Sequence, residues 1–257
     1  MSTLYLIRHG QASYTSDEPP LSDLGHQQAL HLGRWAAERA FTLDAVYQGP
    51  RLRQIDTARH YLTGLGEGRA KAKGHPVAAP PQTGAGQVGP EGASLIPQLD
   101  EFDEYHAQAI LRACGPRLVK PGSEFEGLFN SDSTEDRVAQ RRRFNRFFDR
   151  AIELWLGGDL GDEKVEPFLD FAARVARGVH EVMRRTGRGK RVAVFTSAGC
   201  ISAALRLALG LDDATTLRMA SVVLNTSITE FRFRSERDLT LVGFNAVPHL
   251  TDPAQIT

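Results

Sequence analysis

The chain has 257 residues, enough to bury a large core in one enlarged domain or two. Its apolar content of 41% with 24% charged is ordinary for a globular protein, and Lys+Arg and Asp+Glu balance at 31 each. Bulk charge therefore gives no reason to expect nucleic acid or a membrane surface as partner, and any anion site must be a local cluster.

The chain opens with Leu4-Tyr5-Leu6-Ile7, a run suited to a short buried strand and too brief for a buried helix. It ends abruptly at Arg8-His9-Gly10. Ligands in open α/β folds sit where the chain leaves the sheet, so an imidazole and a guanidinium at a strand end suit an anion. A snorkelling arginine beside a satisfied edge histidine explains the same tripeptide equally well. Ser22 caps a helix whose apolar positions are Ala29, Leu32, Gly33, Ala36 and Ala40. Leu43–Tyr47 is the second strand, broken by Gly49-Pro50, and a helix from about Arg51 carries Arg53, Thr57 and Ala58 towards Leu62. Strand, helix, strand, helix in this order predicts a parallel sheet with crossover helices.

Residues 64–94 are rich in glycine and proline without apolar periodicity, and read as a surface excursion. No G-K-[ST] follows these glycines, so they are not a Walker-type phosphate loop. Leu99–Tyr105 is an acidic cluster, after which a helical stretch runs to about Gly157. Phe144, Phe147, Phe148, Ile152 and Trp155 form its apolar stripe, and arginines from Arg137 to Arg150 cover the other sides. Such a charge run is read as a solvated face. Val165–Arg185 is an amphipathic helix, ended by Gly187 and Gly189. Arg191–Thr196 follows as a buried parallel strand, and Ser197-Ala198-Gly199 turns into a helix from Cys200 to Leu209. Ser221–Thr226, Ile228–Arg234 and Leu239–Phe244 read as strands that complete one edge of the sheet, with an antiparallel pair.

Cys114 and Cys200 cannot build a disulfide framework and lack metal-ligand spacing, and the eight histidines show no H-x-x-x-H pairing. No signal-peptide core or membrane-length apolar run is present. The expectation is a cytoplasmic protein with reduced thiols and no metal or other cofactor. If the strand ends at His9 and Ser197 converge, the helix opening at Ala198 adds backbone N–H groups suited to a phosphate oxygen. Arg53 and Glu101 would complete a pocket with an imidazole, two guanidiniums, a hydroxyl and a carboxyl group.

Arg8-His9-Gly10-Gln11-Ala12-Ser13 and Leu21 to Ala29 resemble the opening of the histidine phosphatase superfamily, which includes cofactor-dependent phosphoglycerate mutases. Pro50, Arg53, Thr57 and Ala58 are similar to its second-arginine motif, Leu99-Asp100-Glu101 to the segment bearing its acid, and residues 192–199 to its last catalytic strand and turn. The resemblance implies a single three-layer α/β/α domain over residues 1–257 with a mostly parallel sheet. Residues 64–94 would be an insertion and 104–157 a helical cap. It implies that His9 attacks a small phosphate ester, that Arg8 and Arg53 clamp the phosphoryl oxygens with Gly10, Gln11 and Ala198, and that Glu101 serves as acid and then base. Guanidiniums would supply the positive charge that other phosphatases take from metal ions.

One position departs from the family. Its second histidine is Ser197 here, and losing a preorganised transition-state donor costs about 3–4 kcal/mol, or about two to three decades in rate. His249 is a candidate substitute. The leading expectation is a metal-independent phosphomonoesterase whose activity the serine lowers. The alternatives are a phosphate-ester-binding regulatory protein without turnover and a mutase-type phosphotransferase.

Overall fold

A computed structural model describes residues 1–13, 18–73, 96–130, 136–158, 160 and 164–257. The chain forms two compact units, one built from Met1–Glu104 with Arg174–Thr257 and the other from Tyr105–Ala173.

The first unit is built on a five-stranded sheet of order β2-β3-β1-β4-β5, formed by β1 (Ser2–Arg8), β2 (Ala45–Gln48), β3 (Arg191–Thr196), β4 (Ile228–Phe233) and β5 (Leu239–Ala246). β2, β3 and β1 run parallel, and β4 and β5 continue the sheet as antiparallel pairs. Reversing β4 alone leaves the remaining strands pointing one way, the mostly parallel arrangement that the strand–helix alternation predicts. Both faces of β1 are covered: Leu4 and Leu6 are fully buried on one side, and Tyr5 and Ile7 nearly so on the other. This is why the strand is apolar throughout instead of alternating.

Helices α1 (Asp23–Glu38) and α2 (Leu52–Lys73) pack together on the Tyr5–Ile7 side, with Leu32, Ala36, Ala58, Tyr61 and Leu65 in one core with Val46, Ala193 and Phe195. Ser22 caps α1 as expected, its hydroxyl accepting from Gly25 N at 3.1 Å. α2 corrects the reading of its second half. Residues 64–73 continue the helix, and the rest of the expected excursion, 74–94, lies outside the described residues. The glycines there are contact glycines: a Cβ on Gly64 would stand 2.3 Å from Leu30 O, and one on Gly68 would stand 2.6 Å from Ala37 Cβ. Composition alone cannot tell a glycine that breaks a helix from one that lets two helices touch.

Helices α5 (Phe168–Arg185), α6 (Ala198–Leu209) and α7 (Asp213–Val222) complete the chain's helical set after α3 and α4, described below. α6 packs against β1 and β5, on the face opposite α1 and α2, and ends at Gly210 with φ of 67°. A further correction concerns 221–226. Asp212 caps α7 by accepting from Thr215 N, and the helix absorbs Ser221 and Val222. Residues 223–227 then form an irregular lead-in to β4, held by Asn245, whose side chain accepts from Leu224 N at 2.7 Å and donates to Val222 O at 2.7 Å.

In the second unit α3 (Ala107–Leu118) packs on α4 (Arg137–Leu156), so the expected continuous helical stretch is two helices joined by turns. Phe147, Ala151 and Trp155 are α4's buried positions, and Trp155 meets Tyr105, Phe168 and Phe171. Arg137, Arg141, Arg142, Arg146 and Arg150 of α4 are exposed, two of them paired as Arg146–Glu124 at 3.0 Å and Arg150–Glu153 at 2.5 Å, whereas Arg143 is half-buried with its Nε out of solvent.

Candidate active site

Parallel pairing brings the two strand ends together. Arg8 is in register with Thr196, and His9 N donates to Thr196 O at 2.8 Å, so His9 and Ser197 leave adjacent strands side by side. The His9 ring is buried, with Nδ1 2.7 Å from Gly10 O. A carbonyl can only accept, so Nδ1 carries the proton and Nε2 keeps its lone pair. Arg53 Nε lies 3.1 Å from that Nε2. Burial, then the charges of Arg53 and Arg8, hold the imidazole well below its usual pKa, and it stays neutral. Arg8 donates through a guanidinium nitrogen to Val223 O.

The first two peptides after His9 are fixed by side chains. Gly10 N donates to Thr57 Oγ1 at 3.0 Å, and Gln11 N to Gln28 Oε1 at 2.8 Å. Gln11 Oε1 accepts from Ser22 Oγ at 2.8 Å. The amide protons of Gly10 and Gln11 thus serve the fold. The loop also touches α1 backbone to backbone. A Cβ on Gly10 would lie 2.5 Å from Gly25 O, and one on Gly25 would lie 2.1 Å from Gln11 O.

Ser197 is 1% exposed and caps α6 without a side-chain bond to its amides. Its hydroxyl accepts from Gln54 Nε2 at 2.8 Å, which leaves its own proton to donate. Gln54 is fully buried, and its amide also donates to Phe102 O at 3.1 Å and accepts from Arg51 N at 3.0 Å. Among the described residues nothing accepts from Ala198 N, so the first amide of α6 remains open towards the cluster.

Two acidic residues of the Leu99–Tyr105 segment occupy different places. Glu101 stands in the 3-10 turn Asp100–Phe102 and backs onto α5, where a Cβ on Gly178 would lie 2.6 Å from Glu101 Cβ. Glu104 Oε2 accepts from Gly199 N at 2.9 Å, in the first turn of α6. Helix N-termini favour an ionised carboxylate there. The segment is tied down by Arg174, which donates to Glu101 O at 3.0 Å and Asp103 O at 3.1 Å, and by Arg51, which pairs with Asp103 and with Glu18 Oε2 at 3.0 Å. Cys200 donates its thiol to Phe102 O and Asp103 O, and burial together with the charge of Glu104 pushes its pKa well up, so it is no nucleophile.

His249 is not at the pocket's open side. It is buried, with Nε2 2.8 Å from Thr226 Oγ1, and burial together with the nearby His31 holds its pKa down to about 3. A neutral ring held in this way supports the segment behind His9 and does not replace a charged donor. The structure sets His9 beside Arg53 and Ser197, with Arg8 preceding it at the end of β1, and adds Gln54, Gln28 and Asn225, which the sequence did not single out. These are polar residues at helical or strand-end positions, and only their full burial distinguishes them. Among the described residues no three His, Cys, Asp or Glu side chains converge as a metal-binding group, and no helix is long and apolar enough to cross a membrane.

The family model described as histidine phosphatase superfamily (branch 1) matches residues 4–73 and 124–246. Among solved structures the chain is similar to YhfR of Bacillus stearothermophilus at 17% identity and a TM-score of 0.58, covering 97% of this chain and 99% of that one. It is also similar to a phosphoserine phosphatase variant from Entamoeba histolytica in complex with phosphoserine, at 18% identity and a TM-score of 0.55, covering 97% and 100%. A mycobacterial glucosyl-3-phosphoglycerate phosphatase in complex with VO3 matches at 17% identity and a TM-score of 0.55, covering 95% and 99%. No protein of curated function matches in sequence.

Proposed function

The chain belongs to the histidine phosphatase superfamily, branch 1, and on that premise we propose that it hydrolyses small phosphomonoesters through a phosphohistidine on His9. The observation that carries this reading is the state of His9: buried and neutral, its proton on the Gly10 side and its Nε2 lone pair beside Arg53. A protein that only binds phosphate esters has no need of an oriented lone pair, and a charged imidazolium would serve it better.

In the first step Nε2 attacks phosphorus and the ester P–O bond breaks. The leaving alcohol takes a proton from the Glu101 carboxyl group. Arg8, Arg53, the Ser197 hydroxyl and Ala198 N–H neutralise and orient the phosphoryl oxygens as charge spreads. In the second step water attacks the phosphohistidine and gives its proton to Glu101. Phosphate leaves, and His9 is neutral again. Glu101 is assigned the donor role, and Glu104 is not, because a Glu104 carboxylate oxygen is already engaged by Gly199 N–H in the first turn of α6. Two guanidiniums supply the positive charge, so turnover needs no divalent ion. The similar proteins named above include a phosphoserine phosphatase in complex with phosphoserine and a glucosyl-3-phosphoglycerate phosphatase. A phosphate ester of a small polar alcohol is accordingly the substrate class.

The test is p-nitrophenyl phosphate turnover in excess chelator, followed by acid and base quench after a labelled pulse. The expected result is chelator-resistant phosphate release with an acid-labile phosphoenzyme, and His9→Ala should lose both. Labelling that persists in His9→Ala would overturn the assignment.

A further inference from the structure

The peptide that fixes the His9 proton is itself aimed by a residue outside the pocket. Gly10 O, which accepts from His9 Nδ1, and Gln11 N belong to one peptide plane. That plane is rigid and trans, so its carbonyl and its N–H point in opposite directions. The N–H end donates to Gln28 Oε1 at 2.8 Å. Holding that end holds the other, and together with Arg53 Nε, which donates to His9 Nε2 at 3.1 Å, it fixes which imidazole nitrogen carries the proton.

Gln28 is fully buried on α1, and its own orientation is determined by its partners. Its amide nitrogen donates to Gln255 O at 2.7 Å and to Thr257 Oγ1 at 3.1 Å, so its oxygen is the end left for Gln11. Thr257 Oγ1 in turn donates to Asn225 Oδ1 at 3.1 Å, and Thr257 O accepts from Asn225 N at 2.8 Å. Asn225 Nδ2 donates to His9 O at 2.9 Å, and Thr226 N adds a second bond to the same carbonyl at 3.3 Å. The preceding plane, His9–Gly10, is thus held at its carbonyl by Asn225 and at its N–H by Thr57. Both peptides flanking the imidazole are clamped at both ends, and Gln255 and Thr257 join the two clamps from behind.

We propose that Gln28, locked by Gln255 and Thr257, is the positioning residue that sets the tautomer of His9 through the Gly10–Gln11 peptide. The proposal deepens the phosphohistidine reading and rests on it for its effect on rate. An outer partner that fixes an imidazole's proton is worth about 10- to 100-fold in activity where it has been removed from comparable sites. Gln28→Met keeps the volume and the apolar stem but removes the acceptor. It should lower kcat for p-nitrophenyl phosphate by about 10- to 100-fold, leave KM within about a factor of two, and let His9 sample both tautomers.

The tautomer is read from imidazole 15N shifts of the resting protein, without substrate. Wild-type protein should show a protonated Nδ1 and an unprotonated Nε2, and Gln28→Met should show averaged values. A second variant lacking Gln255–Thr257 leaves α1 intact and should give the same averaging, with a smaller loss of kcat. If Gln28→Met does not fold, this variant carries the test alone. A single Nδ1–H tautomer with unchanged kcat in either folded variant overturns the proposal. The phosphohistidine reading fails separately, if His9→Ala keeps its phosphoenzyme, and the 15N result stands whichever way that falls.

Discussion

Ser197 and Gln54 share one buried volume, with 2.8 Å between hydroxyl and amide and neither side chain more than 1% exposed. An imidazole at 197 has to displace an amide held by three bonds. Ser197→His alone should therefore destabilise the fold by about 1–3 kcal/mol, as overpacking does, without raising turnover. Ser197→His combined with Gln54→Ala frees the space and should exceed the single variant in both melting temperature and kcat. Equal or better turnover in the single variant would show that the pocket accommodates the ring. The carboxylates separate by leaving group. Glu101→Gln should cost about 100-fold or more with an alkyl ester, whose alcohol must be protonated, and far less with p-nitrophenyl phosphate. Glu104→Gln should act alike on both esters. At this scale the sequence was legible where chemistry is unusual: Arg8 and His9 together at a strand end single themselves out, and the structure sets Arg53 and Ser197 beside them. Gln28, Gln54 and Asn225 were illegible because an amide looks the same whether it is solvated or holds a peptide in the core.

The α1–α2 contact shows the same limit at the scale of elements. Strand and helix order, and the ends of most elements, followed from apolar periodicity and caps such as Ser22. The second half of α2 did not, because Gly64 and Gly68 signal either a break or a close contact, and only the neighbour decides. A Cβ on Gly64 would stand 2.3 Å from Leu30 O, whereas one on Gly243 in β5 meets nothing within 4 Å. Gly64→Ala should cost about 1–3 kcal/mol in chemical denaturation, since main chain must move. Gly243→Ala should stay within about 0.5 kcal/mol of wild type. A tolerated Gly64→Ala would mean that the two helices can part without loss. The lead-in 223–227 was misread as a strand for a related reason: Val222, Val223 and Leu224 have strand-like side chains, but Asn245 and the tail take the backbone groups that a ladder would use.

Over the whole molecule, two buried neutral histidines make stability depend on acidity. His249 is held down to about 3 by burial and by His31, and His9 lies well below its usual value. In the unfolded chain both titrate near about 6.5. A depressed folded pKa contributes in full above the unfolded value. The contribution is lost as pH falls from there towards the folded value, because the unfolded chain then takes up a proton that the folded one refuses. For His249 the window runs from about 6.5 to about 3, with a limiting slope of about 1.4 kcal/mol per pH unit for each such group. Denaturation midpoints should fall between pH 7 and pH 5, and His249→Gln should flatten that fall by about one proton's worth. An unchanged slope would mean that His249 protonates in the folded state. Balanced overall charge, read at the outset, said nothing of this, since the effect comes from burial.

Where the nucleophile loop crosses α1, main chain obstructs main chain: Gly10 faces Gly25 O, and Gly25 faces Gln11 O. No change at one glycine can make room for a side chain at the other. A lineage carrying this protein therefore has no path away from either residue. At Ser197 the obstacle is the side chain of Gln54, and two substitutions can trade places. On the proposed mechanism, the His9 side of the site is closed to drift and the Ser197 side is open to it. Divergence in activity among descendants of this chain would be written on the Ser197 side.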